Sequence, residues 1–101
     1  MSVISVTKDN IEDVKKSEKL VLLDFFATWC GPCQMVSPLV DEIAEEHPEY
    51  LVGKIDIDEE TDLAEDFGVM SIPTLVVLKD GEVLTKHTGA LPKARILALL
   101  Q

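Results

Sequence analysis

Cysteine is almost missing from this chain: two in 101 residues, Cys30 and Cys33. Two thiols three positions apart cannot staple distant segments, so a disulfide-stitched scaffold is excluded. Aromatic residues are scarce as well, with one Trp, one Tyr and three Phe, and the core is therefore expected to be aliphatic. Basic side chains are the third shortage. Nine lysines and arginines stand against 19 carboxylates, for a formal charge of −10, which argues against nucleic acid or an anionic membrane surface and favours a partner with a basic footprint. Long apolar runs are lacking too: the longest, Leu20 to Ala27, contains Asp24 and is far too short to cross a bilayer. The opening Met1–Val6 has neither a basic segment nor an apolar one of signal-peptide type, so the cytosol is the expected compartment. In that compartment a lone C-x-x-C points to metal binding or redox catalysis.

With no repeat, linker or low-complexity stretch, residues 1–101 read as one domain with a single core. Val3–Val6 reads as a first strand. Asn10 is placed as the cap of a helix running to about Ser17, with Ile11 and Val14 inward. Leu20–Ala27 has the continuous apolar pattern of a strand covered on both faces. From Pro32 a helical period takes over, with Val36, Leu39, Val40 and Ile43 on one side and Asp41, Glu42, Glu45 and Glu46 on the other. Pro38 should kink this helix rather than end it, and His47-Pro48 marks the stop. Leu51–Ile57 reads as a buried strand, followed by a short helix near Thr61–Phe67 capped by Gly68. Thr74–Leu78 and Val83–Thr88 flank a turn over 79–82 whose Asp80-Gly81 is a strong hairpin signal. Pro92 opens a last helix with Ile96, Leu97 and Leu100 inward. The order βαβαβαββα implies an α/β fold, a mixed sheet with helices on both faces.

The two cysteines fall in Trp29-Cys30-Gly31-Pro32-Cys33, at the step from strand to helix. At i and i+3 they can meet across one turn and close a small disulfide ring. Cys30 stands at the helix N-terminus, where free N–H groups and the helix dipole stabilise a thiolate. Cys33 lies one turn inside and is expected to be more buried and less acidic. Cys30 is thus the candidate nucleophile and Cys33 the candidate resolving thiol. A structural zinc site needs four ligands, and His47 and His87, the remaining soft donors, lack paired spacing. A cysteine-protease arrangement needs a histidine base with an orienting partner, and both histidines read as surface residues. The acidic stretch Asp56–Asp66 lacks the glycine and spacing of a calcium loop and reads as a solvated face.

Three further residues stand out, each with two readings. Asp24 lies within an apolar run, where a charged carboxylate is costly; it is either a wetted strand-end Asp or a group with a raised pKa able to act as general base for Cys33. Lys54 is the one Lys or Arg between Asp41 and Asp66; it either snorkels to the surface or sits near a buried acid. Pro73 follows Ile72 at a strand mouth, where an ordinary trans proline is the default.

The segment Asp24-Phe25-Phe26-Ala27-Thr28-Trp29-Cys30-Gly31-Pro32-Cys33 resembles the active-site signature of the thioredoxin family. Ile72-Pro73-Thr74, Lys79-Asp80-Gly81 and Val83 through Gly89 resemble its later landmarks in the right order. The resemblance spans essentially the whole chain. It implies a thioredoxin fold: a central five-stranded mixed sheet with the last two strands antiparallel, flanked by four helices. It implies a protein-disulfide reductase working by dithiol–disulfide exchange through Cys30 and Cys33. Such a protein needs no bound cofactor beyond the redox-active disulfide itself, is recycled by a thioredoxin reductase, and acts on disulfide-containing target proteins. A monomer is expected. Asp24 then matches the family's buried proton-transfer Asp, Lys54 a modulator of it, and Pro73 a cis-proline beside the disulfide. Trp29, Gly31, Pro32, Met70, Ile72, Ala90 and Leu91 would form an apolar apron for extended substrate, with Gly89 permitting close backbone approach.

Two departures from the family pattern bear on partner choice: Gln34 where relatives commonly carry Lys or Arg, and Phe26 where many have Trp. Relatives that act as oxidases or isomerases commonly carry a histidine before the second cysteine, and here Pro32 stands there. A rival from another class is a binding module in which the thiols are incidental.

Overall fold

The apolar run of residues 20–26 becomes the middle of a sheet, because only there can a strand without polar alternation be covered on both sides. The computed structural model describes residues 2–101. In chain order the elements are β1 (Val3–Ser5), α1 (Ile11–Lys15), β2 (Leu20–Phe26), α2 (Gly31–Glu46), β3 (Tyr50–Asp56), α3 (Thr61–Asp66), β4 (Thr74–Lys79), β5 (Glu82–Thr88) and α4 (Lys93–Leu99). The strands lie in the order β1-β3-β2-β4-β5. β3 pairs parallel with β1 and β2, whereas β4 runs antiparallel to both β2 and β5. This is the five-stranded mixed sheet with four helices that the resemblance implies.

Alternation along β2 sorts its side chains between two layers. Val21, Leu23 and Phe25 pack with Ile11 and Val14 of α1, Leu63 of α3, and Ile55 and Val76 from the neighbouring strands. On the opposite face Leu22 packs with Val36, Val40 and Ile43 of α2, Ile96 of α4, and Val52 and Leu75. Each fully buried Leu or Phe contributes roughly 1.5–3 kcal/mol through lost water contact. No helix among the described residues is long and apolar enough to cross a membrane.

Several local details differ from the sequence reading, each for a physical reason. Asn10 does not cap α1 through its side chain. Its Oδ1 accepts from the Thr7 amide at 2.8 Å and its Nδ2 donates to the Ser5 carbonyl at 2.9 Å, so it straps the loop to the end of β1. α1 is correspondingly short, ending at Lys15. Pro92 is the N-cap of α4 and precedes its first turn. Its carbonyl accepts from the amides of Arg95 and Ile96. α2 runs on through Pro38 to Glu46 with His47 as its cap, as the resumed apolar period requires.

The turn signals hold. Gly68 follows α3 with φ +66. Gly68 N–H donates to Glu65 and Val69 N–H to Ala64, the paired closure of a Schellman motif. Lys86 of β5 adds hydrogen bonds to the Phe67 and Gly68 carbonyls. Asp80 and Gly81 both have positive φ, the two-residue turn that suits strand twist.

Candidate active site

Between the end of β2 and the start of α2 the chain turns so that Cys30 becomes the N-cap of a 16-residue helix. Cys30 and Cys33 are joined in a disulfide with their Cα atoms 5.3 Å apart. The Cys33 backbone N–H donates to Cys30 Sγ at 3.2 Å. Cys30 thus fills the place a Ser or Asp cap usually takes, and a negative charge on its sulfur would meet that N–H and the positive end of α2. The expected contrast between an open and a buried cysteine is absent: Cys30 is 5% exposed and Cys33 3%. Both lie in one small cluster with Ala27, closed over by Phe26, Ile57 and Ile72. What distinguishes the two sulfurs is the helix terminus, since only Cys30 occupies the capping position.

Asp24 is 1% exposed and faces the α2 side of the sheet, like Leu22 before it. Neither of its carboxylate oxygens has a hydrogen-bond partner. Burial pushes its pKa up from 3.8 to about 6; the Lys54 ammonium pulls the other way, and the Asp41 carboxylate adds to the rise. Lys54 is the residue opposite Asp24 in the β2–β3 ladder. Its ammonium nevertheless reaches α2, pairing with Asp41 Oδ1 at 2.7 Å and donating to the Ser37 hydroxyl and, at 3.4 Å, the Ser37 carbonyl. Lys54 therefore stands near the acid, held by other groups. Sequence reasoning missed Ser37 and Asp41, although their i, i+4 spacing on α2 is a signal that they share a face.

The Ile72-Pro73 bond is cis. Ile72 packs on the cysteine cluster, and the Pro73 carbonyl accepts from the Gly89 amide at 2.8 Å. Gly89 has φ +110, and a Cβ there would meet nothing within 4 Å. Within the chain itself the backbone conformation is what calls for glycine here. A Cβ at Gly31 would also stand in open space, and Pro32 beside it is exposed. Trp29 is 68% exposed and Met70 96%. The Trp29 indole donates to Asp58 Oδ2 at 2.8 Å, so one member of the acidic stretch orients this ring. Ala90 and Leu91 line an apolar groove of about 350 Å³ with Pro92, Met35, Val36 and Leu39. Met35, exposed at its rim, was not foreseen.

His47 is bonded to Glu49 and stacked on Tyr50 at the far end of α2, and His87 lies on the edge strand β5. Neither joins the thiols. Among the described residues no group of three or more His, Cys, Asp or Glu is arranged to hold a metal ion.

A mixed sheet carrying a bonded Cys-X-X-Cys pair at the head of its long helix is an arrangement consistent with dithiol–disulfide exchange. The thioredoxin family model matches residues 2–101. The chain is 45% identical to the thioredoxin of Bacillus subtilis over 101 residues, covering 99% of this chain and 96% of that one. It is 54% identical to the thioredoxin of Listeria monocytogenes over 81 residues, 79% of each. A solved mutant thioredoxin from Halobacterium salinarum superposes with a TM-score of 0.92 at 38% identity, over 98% of this chain and 88% of that one. The chain belongs to the thioredoxin family.

Proposed function

We propose that this chain reduces disulfides in other proteins and is itself restored by a thioredoxin reductase. The observation that carries the reading is the Cys33 N–H aimed at Cys30 Sγ at the head of α2, which makes Cys30 the sulfur better able to hold negative charge. In the reduced state the Cys30 thiolate attacks one sulfur of the target disulfide, forming a mixed disulfide and expelling the other target sulfur as a thiolate. Cys33 then loses its proton to Asp24 and attacks Cys30 Sγ, closing the ring and releasing the second target thiolate. Two electrons pass to the target, and its thiolates take up two protons. Asp24 suits its role because burial places its pKa at about 6, where a carboxylate accepts a proton near neutrality.

Trp29, Gly31, Pro32, Met70, Ile72, Pro73, Gly89 and Ala90 form the docking surface in this reading, and an extended target segment lies across it with the backbone beside Pro73 as its track. Lys54 tempers the ionisation of Asp24. The chain acts as one domain and as a monomer, binds no cofactor, and works in the cytosol, where its dithiol is kept reduced and contributes to redox homeostasis.

Trapping tests the assignment. Cys33→Ser, offered a disulfide-containing protein, should accumulate mixed disulfides through Cys30, while Cys30→Ser should lose electron transfer entirely. No adducts in the first variant, or adducts through Cys33 in the second, would reverse the roles. A subunit whose thiols are incidental would keep its binding partners in Cys30→Ser. A reduction potential at or above that of the glutathione pool would turn the reading towards an oxidase.

A further inference from the structure

We propose that Asp41 is a positioning residue for the exchange site: with Ser37 it draws the Lys54 ammonium onto α2 and keeps it off the two oxygens of Asp24.

The geometry begins with an unused pairing. Lys54 and Asp24 are opposite one another on adjacent parallel strands, and such strands run about 4.8 Å apart. A buried carboxylate beside a lysine ordinarily takes a charge-assisted hydrogen bond from it. Here both Asp24 oxygens remain without a partner. The lysine's donors explain why. An ammonium has three N–H groups, and Lys54 has three acceptors on α2: Asp41 Oδ1 at 2.7 Å, the Ser37 hydroxyl, and the Ser37 carbonyl at 3.4 Å. None is left for Asp24.

The other surroundings of Asp24 do not supply a substitute. Its β4 partner is Leu75 and α4 brings Ile96 and Leu100 to this side of the sheet, all apolar. β1 places Ser5 beside Lys54. Asp56 and Glu59 line, with Phe26, Asp41 and Lys54, an open cleft of about 370 Å³ on the outer side of the lysine. The charged groups acting on Asp24 are Lys54 from β3 and Asp41 from α2, with opposite signs. Asp41 therefore works twice in one direction. It holds the Lys54 cation out of hydrogen-bonding contact with Asp24, leaving only a through-space attraction, and its own charge disfavours the Asp24 carboxylate. Both effects hold Asp24 ready to keep a proton near neutral pH.

For its kinetic consequence the inference rests on the reading of Asp24 as proton acceptor for Cys33, but the positioning itself is read from the titration of Asp24 alone. The experiment follows the Asp24 carboxyl carbon by NMR across pH in the oxidised protein. It compares the wild type with Asp41→Asn, Lys54→Met and the double variant. Asp41 is half exposed and Lys54 keeps its two Ser37 acceptors when Asp41 is replaced, so the variant is expected to fold. Asp41→Asn should lower the Asp24 midpoint by roughly half a pH unit to one pH unit, as expected for the gain of a cation and the loss of a like charge. Lys54→Met should raise the midpoint, and in that background the drop caused by Asp41→Asn should shrink to less than half. Asp41→Glu should restore the wild-type midpoint, and Ser37→Ala should lower it by a smaller step. An Asp41→Asn midpoint that stays put or rises overturns the proposal, as does an equal drop in the presence and absence of Lys54. The pH profile of mixed-disulfide resolution, measured on the same variants, should move with the midpoint. If the midpoint moves and the profile does not, the positioning stands and Asp24 is not the proton acceptor.

Discussion

The two faces of the central sheet are built from the same strands yet differ in kind. On the α1/α3 face β2 contributes Val21, Leu23 and Phe25, and the one buried polar side chain among the described residues of that layer, Thr74 opposite Phe25, is uncharged and hydrogen-bonded to the Ser71 carbonyl and the Thr88 hydroxyl. On the α2/α4 face the same strand contributes Leu22 and then Asp24, with Lys54 opposite. The first layer excludes water and, among the described residues, buries no charged group. The second carries a buried, unpartnered acid, whose neutral form folding favours. One strand thus separates stability from chemistry by the alternation of its side chains alone.

The contrast is open to breakage on either side. The largest expected effect is on the apolar layer: Phe25→Ala removes a fully buried ring that packs 5.5 Å from Phe67, and should cost about 3–5 kcal/mol in urea unfolding. The pH profile of exchange should stay as it was; a shifted profile would mean that the faces are not separate. Asp24→Asn should act in the opposite sense. Because its pKa is raised from 3.8 to about 6, the folded chain holds this proton more tightly than the unfolded one. The resulting stability is whole below 3.8 and is lost as pH rises through about 6. At about 1.36 kcal/mol per pH unit the loss comes to roughly 3 kcal/mol. The oxidised variant should therefore match the wild type near pH 3, exceed it by up to roughly 3 kcal/mol near pH 8, and resolve mixed disulfides more slowly at neutral pH. Equal stability at both pH values would place the charge elsewhere. A smaller loss, about 1–3 kcal/mol, is expected for Gly53→Ala. A Cβ there would collide with Val6 on the apolar face, and the glycine is what lets β1 and its continuation lie close. Unchanged stability would show that layer to be looser than its packing indicates.

Much of this was visible in the chain before folding. The continuous apolar run of β2, the helical period of α2 and the Asp80-Gly81 turn are local patterns that tertiary packing had no reason to override. Asp24 could be singled out for the same reason, as a carboxylate where the pattern demands a hydrocarbon. What escaped was set by contacts between distant segments. That Asp58 would receive the Trp29 indole depends on where the turn after β3 comes to rest. That Lys54 would engage Ser37 and Asp41 depends on how α2 crosses the sheet. Asn10 had the right residue type for a cap, but nearby backbone groups of the preceding loop took its side chain first. The near-equal burial of the cysteines follows from Phe26, Ile57 and Ile72 converging from three segments, which no spacing of two thiols encodes.

The hydrogen bond from Gly89 to Pro73 joins the loop before β4 to the loop after β5, two loops whose strands are already paired. The rim beside the disulfide is therefore a mould fastened to the sheet at both ends. A polypeptide docking there, as the proposed function requires, would meet a surface with little freedom to lose, so the entropy of docking would fall on the visitor. Segments that are already frayed or half unfolded lose least on arrival. On the proposed function, a host of this kind would select its guests by their looseness as much as by their sequence.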